Sequence, residues 1–226
     1  MSGTIQHRPE LWLDTSTPEP NLALLRDGQI LTEPTCQGNA LDVLFTALDT
    51  SLHEQGIAFD DLTTLHYCGG PGSSLGLRIA AMALRIWKAL RPDLRLRTCS
   101  SLALQAALLT EEPDAPPHFI LVAQHRKGIW YKVEHRTGHP RQSEPEAMGE
   151  DDIPELRGTL FHMQQRKFAT PLPPHFLPMP LHTKNLPAVL HIDGLFREVE
   201  HPEFFDPGTP SFQKWQPRRH KSSQHR

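Results

Sequence analysis

Residues 67–90 read YCGGPGSSLGLRIAAMALRIWKAL, and how they fold decides the architecture of the chain. Tyr67 and Cys68 end a strand-like run, Gly69, Gly70 and Gly72 break it, and from Ser74 the sequence takes on helical periodicity. A glycine turn feeding a helix is a common phosphate site, because the first helical amides are unpaired and lie at the positive end of the helix dipole. The specific motifs fail here. A P-loop needs glycine, four residues, then Gly-Lys-Ser/Thr; Pro71 stands at the first position and Leu77 where lysine belongs. The dinucleotide fingerprint needs a third glycine. Gly70 and Gly72 fit its first two positions, but Leu75 occupies the third. Two readings stay open: generic anion binding at the amides of Ser73 and Ser74, and plain turn chemistry.

The helix itself carries more information. Leu75, Ile79, Met82, Ile86 and Leu90 form one stripe, while Leu77, Ala80, Ala81, Leu84 and Trp87 cover much of the remaining circumference. Only Arg78, Arg85 and Lys88 are charged. A helix this apolar is either buried all round or buried on one side and docked to a partner on the other. A preceding helix is predicted over Asn39–Gly56, with Leu41, Leu44, Phe45, Leu48 and Leu52 in a stripe and the small Ala40, Val43 and Ala47 opposite. Simple burial and a protein–protein interface built from these two helices both remain open.

Around this pair the pattern alternates strands and helices. Glu10–Ser16 reads as a buried strand, and "NLALLR" and "GQILTE" form a hairpin joined at Asp27-Gly28. Leu62–Cys68 and Leu94–Cys99 read as further strands, and Ser100 or Ser101 caps an Ala/Leu-rich helix. The acidic, proline-containing stretch Glu111–Pro117 marks a boundary between lobes 1–112 and 113–226. Beyond it, "HFILVAQ" and "GIWYKVEH" are paired strands. Glu144–Glu155 is expected to be a solvated loop, with a short strand near "RGTLFHM". Pro171–Pro187 should be extended and irregular, Leu186–Phe196 a short helix, and the basic end frayed.

Composition narrows the function classes. A net charge of −3 over 226 residues gives no basic field for nucleic acid. Three scattered cysteines, Cys36, Cys68 and Cys99, supply neither a disulfide framework nor a zinc site. The opening "MSGTIQHRPE" lacks a signal-peptide core, no long apolar run is present, and the expected location is the cytoplasm. No internal repeat of 20–50 residues is visible.

The ordered segments "LDTSTPEPNLALLRDGQIL", helix, "GGPGSSLGLRIAAMALRIWKAL" and "SSLALQAAL" resemble the bacterial TsaB family from Leu11 to Leu109. The likeness continues weakly through "VAQHRKGIWYKV". It implies an α/β fold of the actin/hexokinase-like (ASKHA, ribonuclease H-like) type, with two lobes on mixed sheets. It also implies a non-catalytic subunit that pairs with the metal- and nucleotide-binding paralogue TsaD and, with a TsaE-like P-loop ATPase, serves threonylcarbamoyl transfer to N6 of adenosine 37 in tRNAs reading ANN codons. On that reading tRNA is met only indirectly, the chain pairs with a second copy when alone, and no membrane is involved. ATP or ADP would be held, if at all, at the partner interface. Departures are visible: "QGNALD" lacks the family's His-Ser-Glu, Ser74-Leu75 replaces Phe-Thr, and Gln124 stands at the aspartate of Asp-Ala-Arg, leaving Arg126 as its match.

Within this frame Asp14, Thr15 and Ser16 form a vestigial phosphate hairpin. The expected docking residues are Leu41, Leu44, Leu48, Leu75, Leu77, Arg78, Ala81, Leu84 and Arg85. His135 and His139 have the spacing of a helical metal pair, but Gly138 and Pro140 disfavour a helix there, and no metal site is expected. No Ser or Cys nucleophile sits in a recognisable elbow, so no catalytic residue is assigned. The basic tail, Arg218, Arg219, Lys221 and Arg226, is read as a solvated terminus or a weak phosphate contact. The competing classes are a small nucleotide-dependent phosphotransferase of the same fold and an adaptor that changed partner.

Overall fold

A computed structural model describes residues 8–139, 141, 144–163, 170–179 and 183–205. The chain opens with β1 (Glu10–Asp14), β2 (Asn21–Arg26) and β3 (Gln29–Thr32) as an antiparallel meander. The β2–β3 turn places both Asp27 and Gly28 at positive φ, 59° and 69°, the pairing that a two-residue hairpin with right-handed strand twist demands. Then follow α1 (Ala40–Glu54), β4 (Thr64–Cys68), α2 (Ser74–Leu90), β5 (Arg95–Cys99) and α3 (Ser101–Thr110). Strands β4 and β5 lie parallel to β1 in register, Leu13 opposite Tyr67 and Cys68 opposite Cys99.

Each of the three helices starts on a side-chain cap that satisfies an otherwise orphaned amide. Asn39 Oδ1 accepts from Leu41 N at 3.0 Å, Ser73 Oγ from Gly76 N at 3.3 Å, and Ser100 Oγ from Ala103 N at 3.4 Å.

A second sheet is built from β6 (His118–Arg126), β7 (Ile129–Arg136), β8 (Glu146–Gly149), β9 (Thr159–His162) and β10 (Phe176–Pro178). Its order, β10-β9-β6-β7-β8, repeats the first sheet's β5-β4-β1-β2-β3. In both, an antiparallel meander is extended from its first strand by two parallel strands. The repeat is one of topology and leaves no trace in residue identity. It corrects one expectation and adds a strand to another segment, expected only as extended and irregular. Glu144–Glu155 contains β8 and a 3₁₀ turn (Glu150–Glu155) with Ile153 buried, and the proline-rich stretch supplies β10.

Strand alternation sorts the side chains into layers. Leu11, Leu13, Leu22 and Leu24 face α1 and α2, while Trp12, Ala23 and Leu25 face α3. In β6, Phe119, Leu121 and Ala123 face α3, while Ile120 and Val122 pack outward on Trp130 and Ile153. Helix α3 lies between the sheets and is buried from Ser101 to Leu109: Ala103, Leu104, Ala107 and Leu108 meet the first, and Leu102, Ala106 and Leu109 the second. A helix with no polar stripe has this one stable position.

The chain then returns. A short α4 (Leu186–Val189), shorter than the predicted helix, packs beside α3, and β11 (Arg197–Val199) pairs antiparallel with β5. The first sheet is therefore completed from beyond residue 113, so a boundary at 112 leaves one of its strands on the far side.

Glycines 72 and 76 explain the opening motif. A Cβ on Gly72 would collide with the carbonyl of Ser16, and one on Gly76 with the carbonyl of Thr15. Ser73 N donates to Ser16 O at 2.6 Å across the same contact. Their role is close backbone approach between the α2 entrance and the segment after β1. Gly76→Ala is therefore expected to lose about 3 kcal/mol or more by overpacking against rigid backbone. Gly28→Ala, with no atom near its Cβ, should lose only about 1 kcal/mol from its positive φ. Urea denaturation of the two variants checks the contrast.

Candidate docking surface and the closed phosphate hairpin

Helices α1 and α2 pack side by side on the first sheet, and each divides its apolar residues between two faces. Inward lie Leu44, Leu48 and Leu52 of α1, and Leu77, Ile79, Ala80, Ala83, Leu84 and Trp87 of α2. Outward lie Leu41 and Phe45, 63% and 47% exposed, with Leu75 at 57%, Met82 at 63%, Ile86 at 52% and Leu90 at 71%. Six large apolar side chains in the open on two adjacent helices exceed the scatter of single apolar residues normal for a surface. Phe45 is anchored edge-on against Trp87, ring centroids 6.1 Å apart. The exposed charges around the patch are Asp42 and Asp49 on α1 and Arg78 and Arg85 on α2.

This geometry corrects part of the expected docking set. Leu44, Leu48, Leu77 and Leu84 are core residues, each at most 5% exposed, and cannot touch a partner of the folded chain. Ala81 is half-buried, and Leu41, Leu75, Arg78 and Arg85 are exposed. Phe45, Met82, Ile86 and Leu90, stripe residues outside that set, are exposed beside them. The signal that finds them is charge: Arg78 and Arg85 lie three residues after Leu75 and Met82, so the arginines mark the stripe that faces water. The core side instead carries Ala80 and Ala83, small enough for close helix–sheet packing. Leu84→Glu is thus expected to destabilise the fold by more than about 4 kcal/mol, combining a lost core leucine with a buried charge. Met82→Glu and Ile86→Glu should stay within about 0.5 kcal/mol of the parent, and thermal unfolding distinguishes them.

Asp14, Thr15 and Ser16 do converge, but under cover. All three are buried, sealed by the α2 entrance through Gly72, Ser73 and Gly76. Asp14 Oδ1 accepts from Ser16 N at 2.8 Å, and the Cys68 thiol lies alongside. Burial raises the Asp14 carboxyl above the usual aspartate range, opposed in part by the hydrogen bonds from Ser16. Burial likewise pushes the Cys68 thiol well up, so it is held as a neutral thiol rather than a nucleophile. The space in front of this turn is filled by the chain's own backbone.

Of the other candidates, His135 lies in β7 with its ring stacked on Phe119 at 4.9 Å, so the helical metal pair does not form. Among the described residues no group of three His, Cys, Asp or Glu could hold a metal. Gln124 is tied to Thr170 in both directions, donating to Oγ1 at 3.0 Å and accepting from the amide at 3.1 Å. The Arg126 side chain and the basic tail lie outside the described residues. Among those residues, no helix is long and apolar enough to cross a membrane.

Two mixed sheets of the same strand order, with helices between and outside them, define the actin/hexokinase-like class of fold. Within that class the chain is similar to YeaZ from Pseudomonas aeruginosa, with a TM-score of 0.55 and 18% identity over 69% of this chain and 75% of that one. A second structure, of an uncharacterized protein with similarity to peptidase YEAZ from the same organism, gives a TM-score of 0.55 and 19% identity over the same shares. At such identities the likeness bears on the fold. No protein-family model matches the chain, and no curated protein matches it at a significant level.

A raised carboxyl pKa has a definite pH signature. Asp14 binds its proton more tightly folded than unfolded, so its contribution to stability is full below the ordinary aspartate pKa of 3.8 and is lost as pH rises through the higher folded value. Asp14→Asn is expected to gain stability relative to the parent at pH 7, with the gain shrinking toward pH 4. Paired urea titrations at the two pH values check this.

Proposed function

We propose that this chain is a TsaB-type partner subunit that acts by docking rather than by catalysis. The observation that carries the reading is the outward apolar face of α1 and α2: Leu41, Phe45, Leu75, Met82, Ile86 and Leu90 in the open. The likeness to YeaZ, the TsaB homologue, and the ordered motifs from Leu11 to Leu109 support the same identity. On this reading the face binds a TsaD-like paralogue, and the pair works with a TsaE-like P-loop ATPase in the cytoplasm. The complex adds threonylcarbamoyl to N6 of adenosine 37 in tRNAs reading ANN codons, and the tRNA meets the complex rather than this chain alone. With no paralogue present, the same face closes on a second copy.

The sealed Asp14–Ser16 hairpin supports the absence of a catalytic role. A phosphotransferase of this fold needs an ionised, accessible carboxylate to orient a metal or water, and Asp14 is buried with its carboxyl pushed toward the neutral form. The chain alone is therefore expected to bind no nucleotide, with ATP or ADP entering only where the partner completes a site.

Met82→Glu and Ile86→Glu place a charge in the centre of the apolar face and should weaken association at least tenfold while leaving the monomer folded. Sedimentation velocity of the chain alone, then pull-down with the organism's own TsaD-like protein and assay of the modified adenosine, test the reading in sequence. Unchanged masses and undiminished pull-down in both variants would overturn it.

A further inference from the structure

In sheets with parallel strands, ligands bind beyond the carboxyl ends of the strands. Here those ends belong to both sheets, with β4 and β5 running into Gly69-Gly70 and Ser100 and with β6 reaching His125 and β7 offering Tyr131. The space between them is not empty. After β11 the chain crosses it, and two adjacent phenylalanines part company. Half-buried Phe204 packs against the core of the first sheet, 5.2 Å from the Tyr67 ring. Phe205, also half-buried, packs against the core between α3 and the second sheet, edge-on to Tyr131 at 4.6 Å and to His125 at 5.6 Å.

The backbone is held as closely as the rings. Phe205 N donates to Gly69 O at 2.7 Å, while Glu203 N donates to Tyr67 Oη at 2.7 Å and Tyr67 Oη donates to Glu203 O at 3.1 Å. Glu203 also pairs with Arg197 of β11 at 2.5 Å. Gly70 takes a φ of +106°, and a Cβ there would press on the Phe205 Cβ at 3.0 Å. Beside the crossing segment a cavity of about 160 Å³ remains, lined among others by Thr98, Cys99, Glu144 and Leu195.

We propose that Glu203–Phe205 is an intramolecular clasp: the chain occupies its own cleft, tied to the first half by its hydrogen bonds to Tyr67 and Gly69, and Phe205, seated against the second half, fixes the angle between the two sheets without a ligand. The clasp shares with Ser101 of α3 the hold on the turn that launches α2. The carbonyls of Gly69, Gly70 and Pro71 are bonded by Phe205 N at 2.7 Å, Ser101 N at 2.9 Å and Ser101 Oγ at 2.7 Å. The inference rests on these contacts and not on the identity of any partner.

The test uses the full chain with spin labels on Gln55→Cys and Glu155→Cys, exposed positions in the two halves; the native cysteines are buried. With the clasp intact the label-to-label distance distribution should be narrow. Phe205→Ala should at least double its width, whereas Phe204→Ala, which leaves the second-half contact in place, should not. Equal widths for the parent and Phe205→Ala, or equal broadening by both variants, would overturn the proposal. Should Phe205→Ala fail to fold, hydrogen exchange of the unaltered chain decides: a Phe205 amide slowed at least 100-fold relative to an unstructured peptide supports the clasp, and coil-like exchange sinks it.

Discussion

The rest of the structure depends on one backbone contact, where the carbonyls of Thr15 and Ser16 lie against Gly76 and Gly72. It joins the end of the first strand to the start of the second helix at a separation that no side chain permits. From it follow the burial of Asp14, the direction in which α2 leaves the sheet, and so the choice of which α2 residues face water. The contact also puts a neutral thiol and a carboxyl with a raised pKa side by side in the interior. Groups buried in this way are cut off from the solvent access that ionised side-chain chemistry needs.

The first half of the chain was largely legible, because its signals are local. Asp27-Gly28 needs a hairpin, Asn39, Ser73 and Ser100 are caps, and Ser74–Leu90 is a helix to the residue. The second half was less so. Strand β8 and the buried Ile153 hide in an acidic stretch because only alternate residues there meet the core, and β10 is three residues long. Tertiary pairing supplies what local propensity lacks. The exposed apolar face falls on α1 and α2, but four of the leucines expected on it, Leu44, Leu48, Leu77 and Leu84, are buried behind it. Periodicity finds apolar stripes, and α2 has two; only the position of Arg78 and Arg85, or of the small Ala80 and Ala83, says which stripe points outward.

The repeated strand order was invisible for a related reason. The first unit surrounds its sheet with α1 and α2, whereas the second covers its outer face with the 3₁₀ turn around Ile153. What the two units share is hydrogen-bonded topology, which constrains alternation and length but few identities. Helix α3 is the common wall. Because all of Ser101–Leu109 is buried between the sheets, either sheet alone would leave half of an apolar helix in water.

The return of β11 to the edge of β5 also sets an order for synthesis. Thr98 finds its partner Arg197 only after about a hundred further residues have emerged, some 5–20 s at usual translation rates. During that interval the first sheet has its meander, its two parallel strands and its helices, yet carries an open edge along Arg95–Cys99. Unpaired edges invite pairing with other chains, and charged side chains discourage it. Arg95 and Arg97 lie on that edge, so the strand that waits longest for its neighbour carries its own protection while it waits.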